Sequence, residues 1–153
     1  MSHIRAANVN DLDAIMAIEQ VAHAHPWARS IMLRYLEKPG VCRVLENNGE
    51  ILAYAVVTVI AAEAELLTIA VAPAAQGRGL GQVMTDDVIA SARQREAQQI
   101  FLEVRESNQN AIAVYEKAGF CQAGRRPGYY PLINRSGKTI GREDALLYVL
   151  PLL

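Results

Sequence analysis

The run from Leu66 to Gly81, LLTIAVAPAAQGRGLG, constrains the fold of this chain more than any other. Its first part, Leu66 to Val71, is short, apolar and rich in β-branched residues, which predicts a strand buried on both faces. Glycines follow at 77, 79 and 81, and apolar residues then recur at three- and four-residue steps, which predicts a helix. We therefore expect a strand, a glycine-rich loop and a helix, in that order.

The glycine-rich loop predicts an anion site. Backbone N–H groups of such a loop and of the first helical turn bind phosphate, and glycine lets the phosphate approach the backbone. The spacing differs from a dinucleotide-binding fingerprint, because the residue three after Gly79 is Gln82, and no Gly-Lys-Ser/Thr of a P-loop follows. The alternative is an ordinary strand–turn–helix unit whose glycines allow tight packing.

Length and composition indicate one globular domain over residues 1–153, because 52% of the residues are hydrophobic and 20% are charged. A net charge of −1 gives no general attraction to nucleic acid or to an anionic membrane, so we expect neither as a partner. The longest apolar run, 51–62, is too short to span a bilayer, which takes about 20 residues. Cys42 and Cys121 lack metal-ligand spacing, so we expect no metal and two reduced core thiols in a cytoplasmic protein.

The rest of the chain predicts the order β-α-α-β-β-β-α-β-α-β-β. We expect helices that begin after Asn10, at about 29, at about 80 and at Asn108, and an Asn-Gly turn at 48–49. The last two strands, at 120–126 and 145–150, are separated by a long polar stretch over 128–144. The other strands are expected at 3–7, 41–46, 51–60, 63–71 and 100–105.

Glu103 is the most informative single residue. The sequence IFLEVR at 100–105 predicts a central strand, and a parallel strand is normally apolar on both faces. A carboxylate there costs free energy unless it is paired or opens into a cleft, and such carboxylates cluster at active sites. The alternative is that Glu103 pairs with an arginine near the rim of the sheet.

Tyr115 is the second candidate for chemistry. Positions 108, 112 and 115 share one face of the predicted helix, so Asn108 and Tyr115 point the same way. A phenol can donate a proton to a leaving group. The alternative is a core tyrosine with its hydroxyl at the surface.

Gln76, Gly79 and Gly81 resemble the Gln/Arg-x-x-Gly-x-Gly/Ala loop of the GCN5-related N-acetyltransferase (GNAT) superfamily, and the predicted order of elements is that of this superfamily. The resemblance implies the acyl-CoA N-acyltransferase fold, an α+β fold with a central mixed, twisted sheet of about seven strands flanked by about four helices. It also implies acetyl-CoA as co-substrate. Glu103 and Tyr115 then fit a direct transfer in which an amine attacks the thioester.

A closer resemblance covers nearly the whole chain. The segments AIEQVAHAHPW, LEVRESNQNAIAVYEKAGF, GYYP and GREDALLYVLP resemble bacterial GNAT enzymes that acetylate the N-terminal alanine of ribosomal protein S18. This resemblance implies Glu103 as catalytic base, Tyr115 as catalytic acid and S18 as protein substrate. It implies acetyl-CoA contacts from the end of a strand, the glycine-rich loop and a helix start: Ile69, Ala70, Val71, Gln76, Gly77, Arg78, Gly79, Leu80, Gly81, Gln82 and Asn108.

The acceptor is expected between the HAHPW turn and two tyrosines, with contacts from Glu19, Trp27, Tyr129 and Tyr130. Aromatic side chains beside a turn give rigid walls, although Trp27 has an equal claim to a purely core role. Glu19 or Glu103 would attract a charged amine. Departures at His25 and in the longer segment 131–144 leave the acceptor open.

Amine chemistry favours an N-terminal acceptor. A peptide α-amine has a pKa of about 8 and a lysine one of about 10.4, so about a tenth of the former is neutral at pH 7 and far less of the latter. A lysine or a small amine stays an alternative acceptor. A non-catalytic acyl-CoA-binding module is the alternative of another class, and the oligomeric state is left open.

Overall fold

The computed structural model describes residues 2–152, which form one seven-stranded sheet with four helices. The helices are α1 (Leu12–Ala22), α2 (Arg29–Leu36), α3 (Leu80–Gln94) and α4 (Gln109–Lys117). The predicted order of elements is confirmed, as is the mixed sheet flanked by helices. The strands are β1 (Ser2–Ala6), β2 (Cys42–Asn47), β3 (Glu50–Ile60), β4 (Glu63–Val71), β5 (Gln99–Arg105), β6 (Cys121–Ile133) and β7 (Thr139–Pro151).

The strands lie in the order β1-β2-β3-β4-β5-β7-β6. Strands β4 and β5 pair in parallel, with α3 as their crossover, and the other neighbouring strands in the described chain pair antiparallel. The predicted Asn-Gly turn closes the β2–β3 hairpin, where Asn48 and Gly49 have φ angles of 51° and 82°.

The two faces of the sheet carry separate cores. Tyr54 and Val56 of β3 face α1 and α2, whereas Ala53, Ala55 and Val57 face α3 and α4. Because β3 is covered on both faces, its sequence is apolar throughout. In the described part of the chain, no helix is both long enough and apolar enough to cross a membrane.

Strands β4 and β5 are paired along only part of their length. Their pairing ends at Leu66 and Leu102, yet β4 continues to Val71 and β5 continues to Arg105. A gap therefore opens between the carboxyl ends of two adjacent parallel strands, the region in which open α/β sheets bind ligands.

A β-bulge at Leu67 lies where the two strands part. The register between β3 and β4 skips this residue, and a bulge bends and twists its strand. Before the bulge, Ala64 and Leu66 belong to the core under α3, whereas after it Thr68 and Ala70 lie toward α1. The bulge thus turns the hydroxyl of Thr68 toward α1.

The last two strands are longer than predicted. Most of the polar stretch at 128–144 belongs to the β6–β7 hairpin, whose turn occupies 134–138. Within that turn, Asn134 Oδ1 accepts hydrogen bonds from the backbone N–H groups of Ser136 and Lys138. A hairpin arm with both faces largely exposed has no apolar alternation, so the sequence carries no strand signal there.

Two smaller expectations were wrong. Asn8, not Asn10, begins the turn before α1: its Oδ1 accepts from Asn10 N–H, and Asp11 Oδ2 accepts from Asn8 N–H. Cys42 is buried as expected, but Cys121 is exposed.

Candidate active site

Two adjoining cavities open from the gap between β4 and β5. The first, here the loop cavity, has a volume of about 770 Å³ and follows the free end of β4, the glycine-rich loop and α4. The second, the hairpin cavity, has about 520 Å³ and lies between the 23–27 turn and the β6–β7 hairpin. They meet at residues that line both: His23, Ile69, Asn108, Ala111 and Tyr115.

The glycines of the loop are explained by backbone angles and by open space. Gly77 and Gly79 have φ angles of +81° and +76°, which L-residues rarely adopt. A Cβ added at Gly77, Gly79 or Gly81 would meet no atom within 4 Å among the described residues. The alternative that these glycines serve tight packing is therefore wrong, and the space beside Gly81 belongs to the loop cavity.

The start of α3 is suited to an anion. Gly79 is the N-cap residue and has no side chain to satisfy the helix, so the first-turn N–H groups stay available. Gln76 Nε2 donates to the Val71 carbonyl at 3.2 Å, which ties the loop to β4. Leu80 and Gln82 line the loop cavity with these glycines, whereas Arg78 lies outside its lining and donates to the Ala74 carbonyl at 3.3 Å.

The free end of β4 presents backbone groups to the same cavity. Ile69, Ala70 and Val71 line it and are beyond the last pair with β5. Along a strand, backbone N–H and C=O groups point alternately to its two sides, so half of them face the gap. The Val71 carbonyl already accepts from Gln76 Nε2, and other groups that face the gap require a partner, which an extended ligand with amide groups supplies.

Glu103 lies on β5 and lines the hairpin cavity, and its carboxylate is also paired. Its Oε1 is 3.1 Å from Arg126 Nε, and its side chain is 24% exposed. Both predictions for Glu103 therefore apply: its side chain opens into a cleft, and it is paired with an arginine.

Strand β5 is covered on one face only, which the sequence interpretation did not foresee. Phe101 and Glu103 lie on its open face, and Phe101 is 36% exposed. The opposite face packs on the core under α3 and α4 through Ile100, Leu102 and Val104. A carboxylate on an open face keeps part of its hydration, so Glu103 costs less free energy than one buried on both sides.

Tyr115 is buried in α4, with its ring 5.7 Å from that of Phe120. Burial raises the pKa of Tyr115, and the neighbouring Tyr130 raises it further, so the phenol keeps its proton at neutral pH. Within residues 2–152 no hydrogen bond to its hydroxyl is recorded, and no buried polar side-chain atom there lacks a partner. The hydroxyl is therefore the part of Tyr115 that is open to the cavities.

Asn108 has a structural role as well as a place in the site. It is the N-cap of α4, which begins one residue later than predicted, and its Oδ1 accepts from Ala111 N–H at 3.2 Å. It lines both cavities beside Tyr115, as the shared helix face predicted.

Aromatic rings and guanidinium groups alternate along the hairpin wall. Arg126 lies 5.4 Å from the centre of the Tyr129 ring, Tyr129 meets Tyr130 edge-on at 5.1 Å, and Arg105 lies 4.4 Å from the Tyr130 ring. We call these four residues the cation–aromatic ladder. Tyr129 and Tyr130 line the hairpin cavity, as the acceptor prediction required.

Ion pairs hold the ladder in place. Arg105 Nη1 donates to Glu143 Oε1 at 2.9 Å and to the Pro131 carbonyl at 3.2 Å. Burial alone would raise the pKa of Glu143, but hydrogen bonds from Arg105 and Ser107 outweigh it and lower that pKa. Asp144 accepts from Arg125 and from the Gly128 N–H, and these bonds lower its pKa as well.

Glu19 and Trp27 form the opposite wall. The Trp27 ring packs 5.2 Å from that of Tyr35, and its backbone N–H donates to Glu19 Oε2 at 2.9 Å. Glu19 is only 1% exposed and accepts from the hydroxyls of Tyr54 and Thr68. Trp27 thus serves both core and cavity, and Glu19, although almost fully buried, is part of the inner lining of the hairpin cavity.

Sequence reasoning missed four residues of the site. Arg105 and Arg126 fix the carboxylates and rings of the hairpin wall, and Thr68 and His23 contact Glu19. The spacing of Glu19 and His23, four apart on one helix face, was the available signal. The other partners come from separate strands and leave no local pattern.

Comparisons with known proteins agree with this geometry. Residues 12–120 match the model of the Acetyltransferase (GNAT) family. The chain is 38% identical over 152 residues to the ribosomal protein bS18-alanine N-acetyltransferase (RimI) of Escherichia coli K12, covering 99% of each. The resemblance predicted from the sequence segments is therefore confirmed.

Solved structures show the same fold. The ribosomal-protein-S18-alanine N-acetyltransferase from Escherichia coli matches with a TM-score of 0.88 at 38% identity, covering 99% of this chain and 94% of that one. The protein yncA from Salmonella typhimurium, solved with its cofactor acetyl-CoA, matches at 22% identity with a TM-score of 0.79 and the same coverages.

Proposed function

The chain belongs to the acetyltransferase (GNAT) family, and we propose that it transfers the acetyl group of acetyl-CoA to the α-amine at the N-terminus of a protein. The observation that carries this proposal is the gap between β4 and β5, which joins a free strand edge to a glycine-rich helix start. The acceptor we propose is the N-terminal alanine of ribosomal protein S18, because the Escherichia coli relative of nearly equal length has that activity. Such a substrate is met in the cytoplasm.

On the loop side, acetyl-CoA would be held mainly by backbone. The free edge at Ile69, Ala70 and Val71 suits the amide groups of the pantetheine arm, and the first turn of α3 suits the pyrophosphate. The open space beside Gly81 supports this, because among residues 2–152 nothing lies within 4 Å of a Cβ added there. The other predicted contacts that line this cavity are Gln76, Gly77, Gly79, Leu80, Gln82 and Asn108, and Arg78 on the same loop stays a predicted contact.

The reaction needs one base, one acid and a site for the oxyanion. The acceptor nitrogen forms a bond to the thioester carbon, and Glu103 takes a proton from that nitrogen, directly or through water. A backbone N–H near Val71 stabilises the negative oxygen. The carbon–sulfur bond then breaks, and Tyr115, kept protonated by its raised pKa, protonates the thiolate.

On the hairpin side, the acceptor peptide would lie between Trp27 and the ladder tyrosines, Tyr129 and Tyr130. These rigid rings cost little entropy to order around a peptide. Glu19 acts from the inner lining of the hairpin cavity, as a buried negative charge that attracts the ammonium.

The test is an acetyl-CoA assay with a peptide that begins with alanine, designed after the N-terminus of S18. Matched controls are the same peptide with a blocked α-amine and one whose only free amine is an internal lysine. Transfer to the free α-amine, and to neither control, supports the proposal. Transfer to the lysine peptide alone overturns the acceptor, and acetyl-CoA binding without any turnover overturns the enzyme.

A further inference from the structure

An acceptor that arrives as an ammonium loses two protons in this reaction. At pH 7 about nine-tenths of an α-amine is an ammonium, because its pKa is about 8. An ammonium loses one proton before the nitrogen attacks and a second as the amide forms. Glu103 takes one of them, and Tyr115 gives a proton rather than taking one. The other proton leaves to solvent before binding or passes to a second side chain within the site, and the second route needs an acceptor where the two cavities meet.

His23 lies at that position. It lines both cavities, and its side chain is 36% exposed. Its Nε2 atom is 3.1 Å from Thr68 Oγ1 and 3.6 Å from Glu19 Oε1. Among the described residues, the Nδ1 atom of His23 has no hydrogen-bond partner.

The hydrogen bonds around Glu19 favour one of the two neutral tautomers of His23. Burial raises the pKa of Tyr54, and the hydrogen bond to Glu19 raises it further, so Tyr54 stays protonated and donates to Glu19. Thr68 Oγ1 also donates to Glu19 Oε1, at 3.3 Å, and its oxygen is then free to accept. With the Thr68 hydroxyl hydrogen on Glu19, Thr68 Oγ1 accepts from the Nε2–H tautomer of His23, in which the lone pair of the neutral ring is on Nδ1.

We propose that His23 is a second proton acceptor of the transfer, which takes a proton from the acceptor's ammonium through Nδ1 before the nitrogen attacks. One N–H bond of the ammonium breaks, one forms on Nδ1, and the ring becomes an imidazolium beside the carboxylate of Glu19. The imidazolium returns its proton to solvent through its exposed edge. This inference rests on the proposed function in one respect, that the acceptor is an amine.

The surroundings of His23 suit a cation that arrives and a positive ring that forms. The buried Glu19 lies behind the ring from α1, and Glu103 lines the same cavity from β5. Other polar groups packed around the ring or across the hairpin cavity include Thr68 of β4, Tyr54 of β3, Tyr115 of α4, Tyr129 and Tyr130 of β6, and His25 of the 23–27 turn. The described linings bring two basic side chains, Arg105 under Tyr130 in the hairpin cavity and Lys117 of α4 in the loop cavity.

The experiment measures kcat/KM for the alanine-first peptide from pH 6 to pH 9 with His23→Asn. The parent is expected to keep a plateau between about pH 6.5 and pH 8, because it uses the ammonium directly, and to fall below that range, where an ordinary imidazole is itself protonated. The variant uses only amine that is already neutral, so its kcat/KM falls about tenfold at pH 7 and about tenfold more per unit below. The deficit closes near pH 9, and the KM for acetyl-CoA is unchanged.

The matched control is His3→Asn, at the far edge of the sheet on β1, and its profile is expected to superimpose on the parent. Thermal denaturation shows whether each variant is folded. If His23→Asn is unstable, the same pH profile of kcat/KM is measured with His23→Gln, which has a longer side chain.

A constant deficit at every pH, or no deficit, overturns the role of His23. Failure of the parent to acetylate the alanine-first peptide overturns the proposed acceptor instead, and the same profile is then measured with the lysine peptide. Failure with both peptides overturns both. Added imidazole is expected to restore part of the activity of His23→Ala at pH 7, and an absence of rescue counts against proton acceptance.

Discussion

The loop cavity and the hairpin cavity share a boundary but are built from different parts of the chain. The loop side is mainly backbone: a strand edge, two glycines with positive φ and a helix start. The hairpin side is mainly side chains: the cation–aromatic ladder and the carboxylates of Glu19, Glu103 and Glu143. A backbone site fits one constant ligand, whereas a wall of side chains can be changed residue by residue to suit another acceptor.

The largest expected effect concerns the chemistry between the two cavities. Glu103→Gln keeps the shape but removes the proposed base, so kcat is expected to fall by about 10²–10⁴, with the Kd of acetyl-CoA unchanged. Turnover kinetics and calorimetry check the two quantities. Glu65→Gln, at the exposed end of β4, is the matched control. A kcat equal to the parent's at pH 7 would make the pair with Arg126 structural only.

Gly81→Leu is expected to affect the loop side alone. The added side chain occupies the free space beside the first turn of α3, so acetyl-CoA binding weakens by about ten- to a hundredfold as hydrogen bonds to the phosphates are lost. Thermal stability is not expected to fall, since the added Cβ has no neighbour within 4 Å among the described residues and leucine favours a helix over glycine. Unchanged coenzyme affinity in calorimetry would contradict the backbone site.

Tyr130→Ala is expected to affect the hairpin side alone. It removes the centre of the ladder and the ring that covers Arg105, so the KM for the peptide rises about five- to tenfold. The KM for acetyl-CoA stays nearly constant, which steady-state kinetics with each substrate varied in turn will show. Equal rises in the KM for the peptide and the KM for acetyl-CoA would contradict the assignment of separate ligands to the two cavities.

The smallest effect concerns pH and the hairpin. The pKa of Asp144 is lowered in the folded state by Arg125 and by the Gly128 N–H, so its contribution to stability is present above the unfolded value of 3.8. That contribution is lost as the pH falls through the lower folded pKa. Asp144→Asn should therefore reduce Tm slightly at pH 7 and not at the lowest pH. Melting curves from pH 7 to pH 2 measure it, and a constant difference in Tm would contradict it.

The two sides also differ in how far the sequence predicts them. Glycine spacing encodes backbone angles directly, so the loop was predicted from Gln76 to Gln82 with its strand and helix. The pair of Glu103 with Arg126 joins residues of two strands that are not neighbours in the sheet. The contacts of Glu19 come from β3, β4 and the 23–27 turn, and local periodicity does not report such distant partners.

Some features lacked a signal because the physics that forms them is not local. The bulge at Leu67 sits in the continuous apolar run LLTIAV, where a skipped register changes no residue type. The outer hairpin strands have no buried face, so they read as a polar loop. The order of elements and the central strands were predicted well, because buried helices and strands have periodic apolar sequences.

The separation of β4 and β5 leaves two unpaired strand edges, which bears on how the molecule avoids aggregation. Unpaired strand edges normally recruit other strands, which leads to aggregation. Here the two open edges face each other across a wedge-shaped gap. The narrow end of the gap lies at Leu66 and Leu102, where the two strands are still paired. A foreign strand would need about 4.8 Å on each side, so it cannot enter near the apex. The narrow end of the gap therefore suits a thin, flexible arm better than a β-strand.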